Sequence, residues 1–153
     1  MKTVYLASGW FNPQQMNEIQ MIEKMLSLHE DINVYSPRLE NNCPPDASED
    51  IKKSVFNENL WHIVNSHLII VNTRDKDLGT IFEAGFAYAN KKPIIYFCHG
   101  LKGNFNLMLA KSGIAVATSF TELKDHIDEF IKDREYKSEY TGVIEWKNKL
   151  KVS

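Results

Sequence analysis

Cysteine is scarce in this chain of 153 residues: only Cys43 and Cys98 occur, 55 positions apart and without metal-ligand spacing. The pair reads as two free thiols in a reducing compartment, and it excludes a small fold stapled by disulfides. A surplus of one charge is also lacking. The count is 18 basic against 20 acidic residues, a net charge of −2, which removes the basic footprint of a general nucleic-acid binder. Long apolar runs are missing too. The strongest, His67-Leu68-Ile69-Ile70-Val71, is far short of the roughly 20 residues that cross a bilayer, so no membrane partner is expected. The opening MKTVYLASGW reaches Gly9 and Trp10 too early for the apolar stretch of a signal peptide, and a cytoplasmic location is expected. The five histidines, at 29, 62, 67, 99 and 126, form no H-E-x-x-H or comparable cluster. No metal site is therefore expected.

What is present is enough for one core. Apolar residues make up 43% and aromatics 11%, and the length is that of one domain. Short β-like runs alternate with helical ones. Strands are expected at 3–8, 32–36, 67–72, 94–98 and 114–118. Between them, Asn12-Pro13 supplies a cap and a first-turn proline for a helix running to about His29, with Met16, Ile19, Ile22, Met25 and Leu26 at helical spacing. The proline-rich stretch 37–48 reads as a loop. Ser48-Glu49-Asp50 opens a second helix, whose broken apolar stripe runs through Ile51, Val55, Leu60, Ile63 and Val64. Further helices are expected from Gly79-Thr80 to Asn90, around 106–111, and over 121–134 with Leu123, Ile127, Phe130 and Ile131 inward. Five such βα units argue for a parallel sheet with helices on both faces. The domain is expected to span 1–135. The tail 136–153 carries Tyr140, Val143, Ile144 and Trp146, and is expected to dock on its own domain or on a neighbouring subunit.

In such folds ligands bind beyond the carboxyl ends of the strands, at the point where strand order reverses. The segment Asp77-Leu-Gly-Thr-Ile-Phe-Glu83-Ala-Gly-Phe-Ala-Tyr-Ala89 lies at such an end. Glu83 falls in the first turn or two of its helix, where the dipole favours an ionised carboxylate. A positioned carboxylate is a nucleophile toward an electrophilic sugar carbon. Asp77 on the preceding loop could face the same pocket and protonate a leaving group. Gly79 would let the backbone approach a ligand, and Ala84, Gly85, Ala87 and Ala89 would let the helix pack closely on the sheet. An acidic residue there also has a plainer use, compensating the helix dipole, worth about 0.3–1 kcal/mol.

The pattern D-x-G-T-x-x-E-x-G-x-A resembles that of nucleoside 2-deoxyribosyltransferases. Three further stretches match in order: Val4-Tyr5-Leu6-Ala7-Ser8-Gly9-Trp10-Phe11, Asn106-Leu107-Met108, and Tyr140-Thr141-Gly142. The resemblance spans nearly the whole chain, at the length of the short, type II-like members. It implies a flavodoxin-like, doubly wound sandwich with a five-stranded parallel sheet. It also implies a cofactor-free enzyme that moves 2-deoxyribose between purine or pyrimidine bases, retaining configuration, in deoxyribonucleoside salvage. Glu83 would be the nucleophile at C1′, Asp77 the acid that helps the base depart, and Tyr5 the group that orients Glu83. Gly9, Trp10, Phe11, Gly79 and Met108 would contact substrate, with Trp10 and Phe11 as apolar walls. Asn41 falls near a base-contacting Gln. Asn106 would hold the 5′-hydroxyl in the site of an adjacent subunit, so a dimer or hexamer with shared sites is expected. The partners implied are deoxyribonucleosides and free nucleobases.

The chain departs from that pattern at Asn59, where a second catalytic Asp usually lies. An amide can hydrogen-bond a base edge but cannot relay a proton, and Glu58 beside it points about 100° away around a helix. His67 also stands where an Asp is usual, and reads as a satisfied structural residue. Past Trp146, where the family's chains typically end in an aromatic residue, this chain runs on to Ser153. Two other readings stay open: a nucleoside or nucleotide N-glycosidase with water as acceptor, and a non-catalytic nucleotide-binding module on the same scaffold.

Overall fold

The structure is a computed structural model that describes residues 1–145; the end of the tail, with Trp146, lies outside the described residues. Five strands form one parallel sheet: β1 (Lys2–Ala7), β2 (Ile32–Tyr35), β3 (Leu68–Asn72), β4 (Ile94–Phe97) and β6 (Ala115–Ala117), in the order β2-β1-β3-β4-β6. This is the doubly wound order whose direction reverses between β1 and β3. The sheet is parallel because each strand returns through a helix: α1 (Pro13–Ser27), α3 (Glu49–Asn65), α4 (Leu78–Ala89), α5 (Leu107–Ser112) and α6 (Phe120–Lys132). β3 and β4 are buried along their whole length, as central strands covered on both faces must be.

Side-chain alternation divides the core into two layers. Val4 and Leu6 face α1 and α6, packing with Ile19, Ile22, Leu26, Leu123, Ile127 and Phe130. Tyr5 and Ala7 face the other way, toward Ile63 of α3 and Ala84 and Ala87 of α4. The helix ends follow from local chemistry. Asn12, Ser48 and Ser119 each accept a hydrogen bond from a backbone N–H three residues on, the usual role of such residues at a helix start.

Three expectations are corrected. The stretch 37–48 is not all loop, because Pro37–Glu40 forms one helical turn, α2, with proline in its first position. On α3 only Ile63 is fully buried; Ile51 and Val64 of the expected stripe are exposed, together with Phe56 and Trp61. The helix rests on the sheet by its C-terminal half and leaves an apolar flank outside. On α4, Ala84 and Ala87 pack inward but Gly85 and Ala89 are exposed, and a Cβ at Gly85 would meet nothing within 4 Å. Those two small residues therefore do not serve helix-to-sheet packing.

The tail folds back. β7 (Ile144–Glu145) pairs in parallel with β5 (Phe105–Asn106), Phe105 N–H donates to Val143 O at 2.8 Å, and Tyr140 meets Phe105 edge-on at 5.6 Å. No helix among the described residues is long and apolar enough to cross a membrane.

Candidate active site

The point of reversal between β1 and β3 is occupied by two side chains. Tyr5 points from β1 toward α4, and its hydroxyl donates to Glu83 Oε1 at 2.8 Å. α4 comes this close because its inward positions are Thr80, Ala84 and Ala87, all buried. Tyr5 is fully buried; burial and the Glu83 carboxylate both push its pKa up, so it remains a donor. Glu83 Oε2 has no hydrogen-bond partner among the described residues.

The dipole expectation for Glu83 is corrected. The residue is the sixth of α4, within the expected first turn or two, but the effect of the helix terminus fades past the first turn. Burial pushes its pKa from 4.5 up to about 7; the Tyr5 hydrogen bond pulls against this rise, and the nearby Asp77 carboxylate adds to it. Glu83 is thus a poorly solvated carboxyl poised near neutrality, which suits a group that must be both nucleophile and leaving group.

Asp77 caps α4: its Oδ2 accepts from Thr80 N at 2.9 Å and from Thr80 Oγ1 at 2.8 Å. The cap leaves Oδ1 without a partner among the described residues. A Cβ at Gly79 would meet only Asp77 Oδ2, at 3.5 Å, so the protein itself leaves that position open.

Beside Tyr5 the structure assembles a second group. Tyr35 is the register partner of Tyr5 on β2, and the two rings stack at 5.5 Å. Tyr35 also stacks on His62 of α3 at 3.5 Å. Asn41 Nδ2 donates to Asn59 Oδ1 at 2.7 Å and to the Tyr35 hydroxyl at 3.0 Å. The Tyr35 hydroxyl donates to Asn59 Oδ1 at 3.3 Å. Asn41 and Asn59, singled out separately, are therefore one unit. Tyr35 and His62 were not singled out, although strand parity offers a signal for Tyr35, since it ends β2 on the same face as Tyr5.

Among the described residues, no hydrogen bond joins the remaining candidates to the Tyr5–Glu83 pair. Trp10 and Phe11 stack on each other at 5.2 Å; Trp10 packs against the α1–α6 core, while Phe11 is exposed. Gly9 has a local reason to be glycine, because a Cβ there would fall 2.8 Å from Gln15 Oε1. Asn106 caps α5, accepting from Met108 N at 2.9 Å and Leu109 N at 3.2 Å. It is exposed, as is Met108, which lines a groove of about 430 Å³ with Ile81, Gly85, Tyr88 and Tyr96. His67 is satisfied: its Nδ1 accepts from Thr3 N at 2.9 Å, and burial followed by Arg134, Lys2 and Lys92 lowers its pKa. Among the described residues, no group of three or more His, Cys, Asp or Glu could hold a metal ion.

A family model described as nucleoside 2-deoxyribosyltransferase matches residues 4–126. No curated protein matches the sequence. Among solved structures, a 2-deoxyribosyltransferase from the psychrotolerant bacterium Bacillus psychrosaccharolyticus is 25% identical. Its TM-score is 0.75, over 90% of this chain and 98% of its own. A 2-desoxiribosyltransferase from Leishmania mexicana is 22% identical with a TM-score of 0.63, over 87% and 99% of the two chains. A CMP N-glycosidase from Clostridium botulinum is 20% identical with a TM-score of 0.54, over 83% and 99%. The last two likenesses show the fold alone.

Proposed function

The chain belongs to the nucleoside 2-deoxyribosyltransferase family, and on that premise we propose that it moves 2-deoxyribose from one base to another through a covalent bond to Glu83. The observation that carries this reading is the contact between buried Tyr5 and partly buried Glu83 at the reversal point of the sheet. Ionised Glu83 attacks C1′ through its unpartnered Oε2 while Tyr5 holds Oε1. The C1′–N bond breaks, its electron pair leaves with the base, and the base takes up a proton that Asp77 relays from solvent through Oδ1. A second base then attacks C1′ from the vacated side, the bond to Glu83 breaks, and Asp77 takes back the proton. Two inversions give net retention.

The Asn41–Asn59 unit serves the base. With Asn41 Nδ2 and Asn59 Oδ1 engaged with each other, Asn41 Oδ1 and Asn59 Nδ2 remain: an acceptor beside a donor, matching a base edge that carries both. Gly9, Trp10, Phe11 and Gly79 border the substrate. Asn106 and Met108, exposed on α5, serve the site of a second subunit. Support for such an assembly comes from Phe56, Leu78, Phe82 and Met108, apolar side chains that are all at least half exposed, with the Phe56 and Phe82 rings 6.1 Å apart. The setting that fits this chemistry is cytoplasmic salvage of deoxyribonucleosides.

The test is incubation with deoxyinosine or thymidine, with and without adenine, resolved by HPLC. Deoxyadenosine that forms only with adenine, and not with Glu83→Ala, is the expected result. Free base and deoxyribose without exchange would point to a hydrolase. No turnover of nucleosides or their 5′-monophosphates would point to a binding module.

A further inference from the structure

The start of α1 carries three polar residues three positions apart: Asn12 at the cap, then Gln15 and Glu18. Gln15 and Glu18 are each only 4% exposed. Burial of a carboxylate is costly unless it is paired, and α1 already has Ile19, Ile22 and Leu26 to hold it on the sheet. All three polar side chains reach the segment that follows β3. Arg74 Nε donates to Glu18 Oε1 at 3.0 Å, and Nη2 reaches the same oxygen. Asn72 Nδ2 donates to Glu18 Oε2 at 3.1 Å, and His99 Nδ1 lies 3.3 Å from Oε1. Gln15 Nε2 donates to Arg74 O at 3.4 Å, and Asn12 Nδ2 donates to Asp75 Oδ2 at 2.7 Å.

The segment held in this way is strained. Asp75 and Lys76 take φ of 59° and 54°, two consecutive non-glycine residues in the left-handed region. Such backbone persists only where its surroundings impose it. The next residue is Asp77. We propose that the pair formed by buried Glu18 and partly exposed Arg74 is a positioning device for Asp77, holding the left-handed turn that aims this carboxyl at the departing base. The proposal rests on the transferase reading of Asp77. Glu18 and Arg74 are positioning residues, since neither is placed against the reacting atoms.

The experiment uses the full chain carrying Glu18→Gln, alone and combined with Asp77→Asn. Hydrogen exchange over 74–77 is expected to quicken by roughly tenfold or more while the amides of β1 stay protected. In transfer assays kcat is expected to fall about tenfold or more, since displacing a catalytic group by around an ångström has effects of that order. KM should stay within about twofold, because Glu18 does not touch substrate. The loss should be larger for bases that leave poorly, and Glu18→Gln should cost nothing further in the Asp77→Asn background. If Glu18→Gln does not fold, Arg74→Lys keeps the charge without the planar fork and should give the same pattern more mildly. Unchanged exchange over 74–77, exchange that rises equally everywhere, or losses that simply add in the double variant would overturn the proposal. A wild-type protein that transfers no deoxyribose overturns the transferase reading, and exchange over 74–77 alone then decides whether the pair holds the turn.

Discussion

If Glu83 is held out of water, the fold must become less stable as that carboxyl ionises. The folded chain keeps the Glu83 proton up to about pH 7, whereas the unfolded chain gives it up near 4.5. Between those values the folded state binds more protons than the unfolded one, so this group's contribution to stability falls as pH rises through the window and levels off above it. A rise of this size corresponds to about 3 kcal/mol at full ionisation. Glu83→Gln isolates the effect, since the amide oxygen can still accept from Tyr5 and the volume is unchanged. In urea unfolding, the variant should be about 3 kcal/mol more stable than wild type near pH 8 and within about 1 kcal/mol of it near pH 5. Groups common to both proteins cancel in the comparison. Parallel stability curves across that range, or a variant less stable than wild type near pH 8, would refute the claim that burial governs this carboxyl.

The same geometry sets other expectations. The pH profile of kcat/KM should rise through an acid limb near pH 7, the value to which burial raises Glu83. Tyr5→Phe removes the hydrogen bond that lowers this pKa, so the limb should move to higher pH and the rate at neutrality should fall. Asp77→Asn removes a charge that raises it, so the limb should move down; kcat should drop by about 10²–10⁴, the range typical of a lost proton donor. Asp77→Asn should keep the cap on α4, while Asp77→Ala should lose it at about 1 kcal/mol in thermal or urea unfolding. The purified protein should elute well above 17.7 kDa, and Phe82→Glu at this exposed position should shift it toward monomer with loss of transfer. A fully active monomer would contradict a shared site.

Much of this was legible in the sequence because the signals were local. β3 shows as an apolar run since both its faces are covered, and α4 shows through its cap, its small inward residues and its lone carboxylate. The site residues within one element, Glu83 and Asp77, were found in this way. Tyr35 and His62 were not, because their place depends on β2 lying beside β1 and on where α3 crosses it. The two-residue ladder between β5 and β7 carries no periodicity and exists only through a contact between distant parts of the chain. The burial of Glu18 runs against its residue type, and nothing before Arg74 in the sequence announces its partner. The electrostatic state of Glu83 was misread for a related reason: position in a helix was visible, depth was not.

The central claim is a bond between Glu83 and C1′ of deoxyribose. The direct measurement is mass spectrometry of protein quenched in acid within milliseconds of mixing with a deoxyribonucleoside, followed by peptide mapping. The account predicts a deoxyribosyl adduct on the peptide bearing Glu83, absent from Glu83→Gln and discharged when adenine is added before the quench. Base exchange that proceeds with no adduct on that peptide, or an adduct that persists in Glu83→Gln, would contradict it.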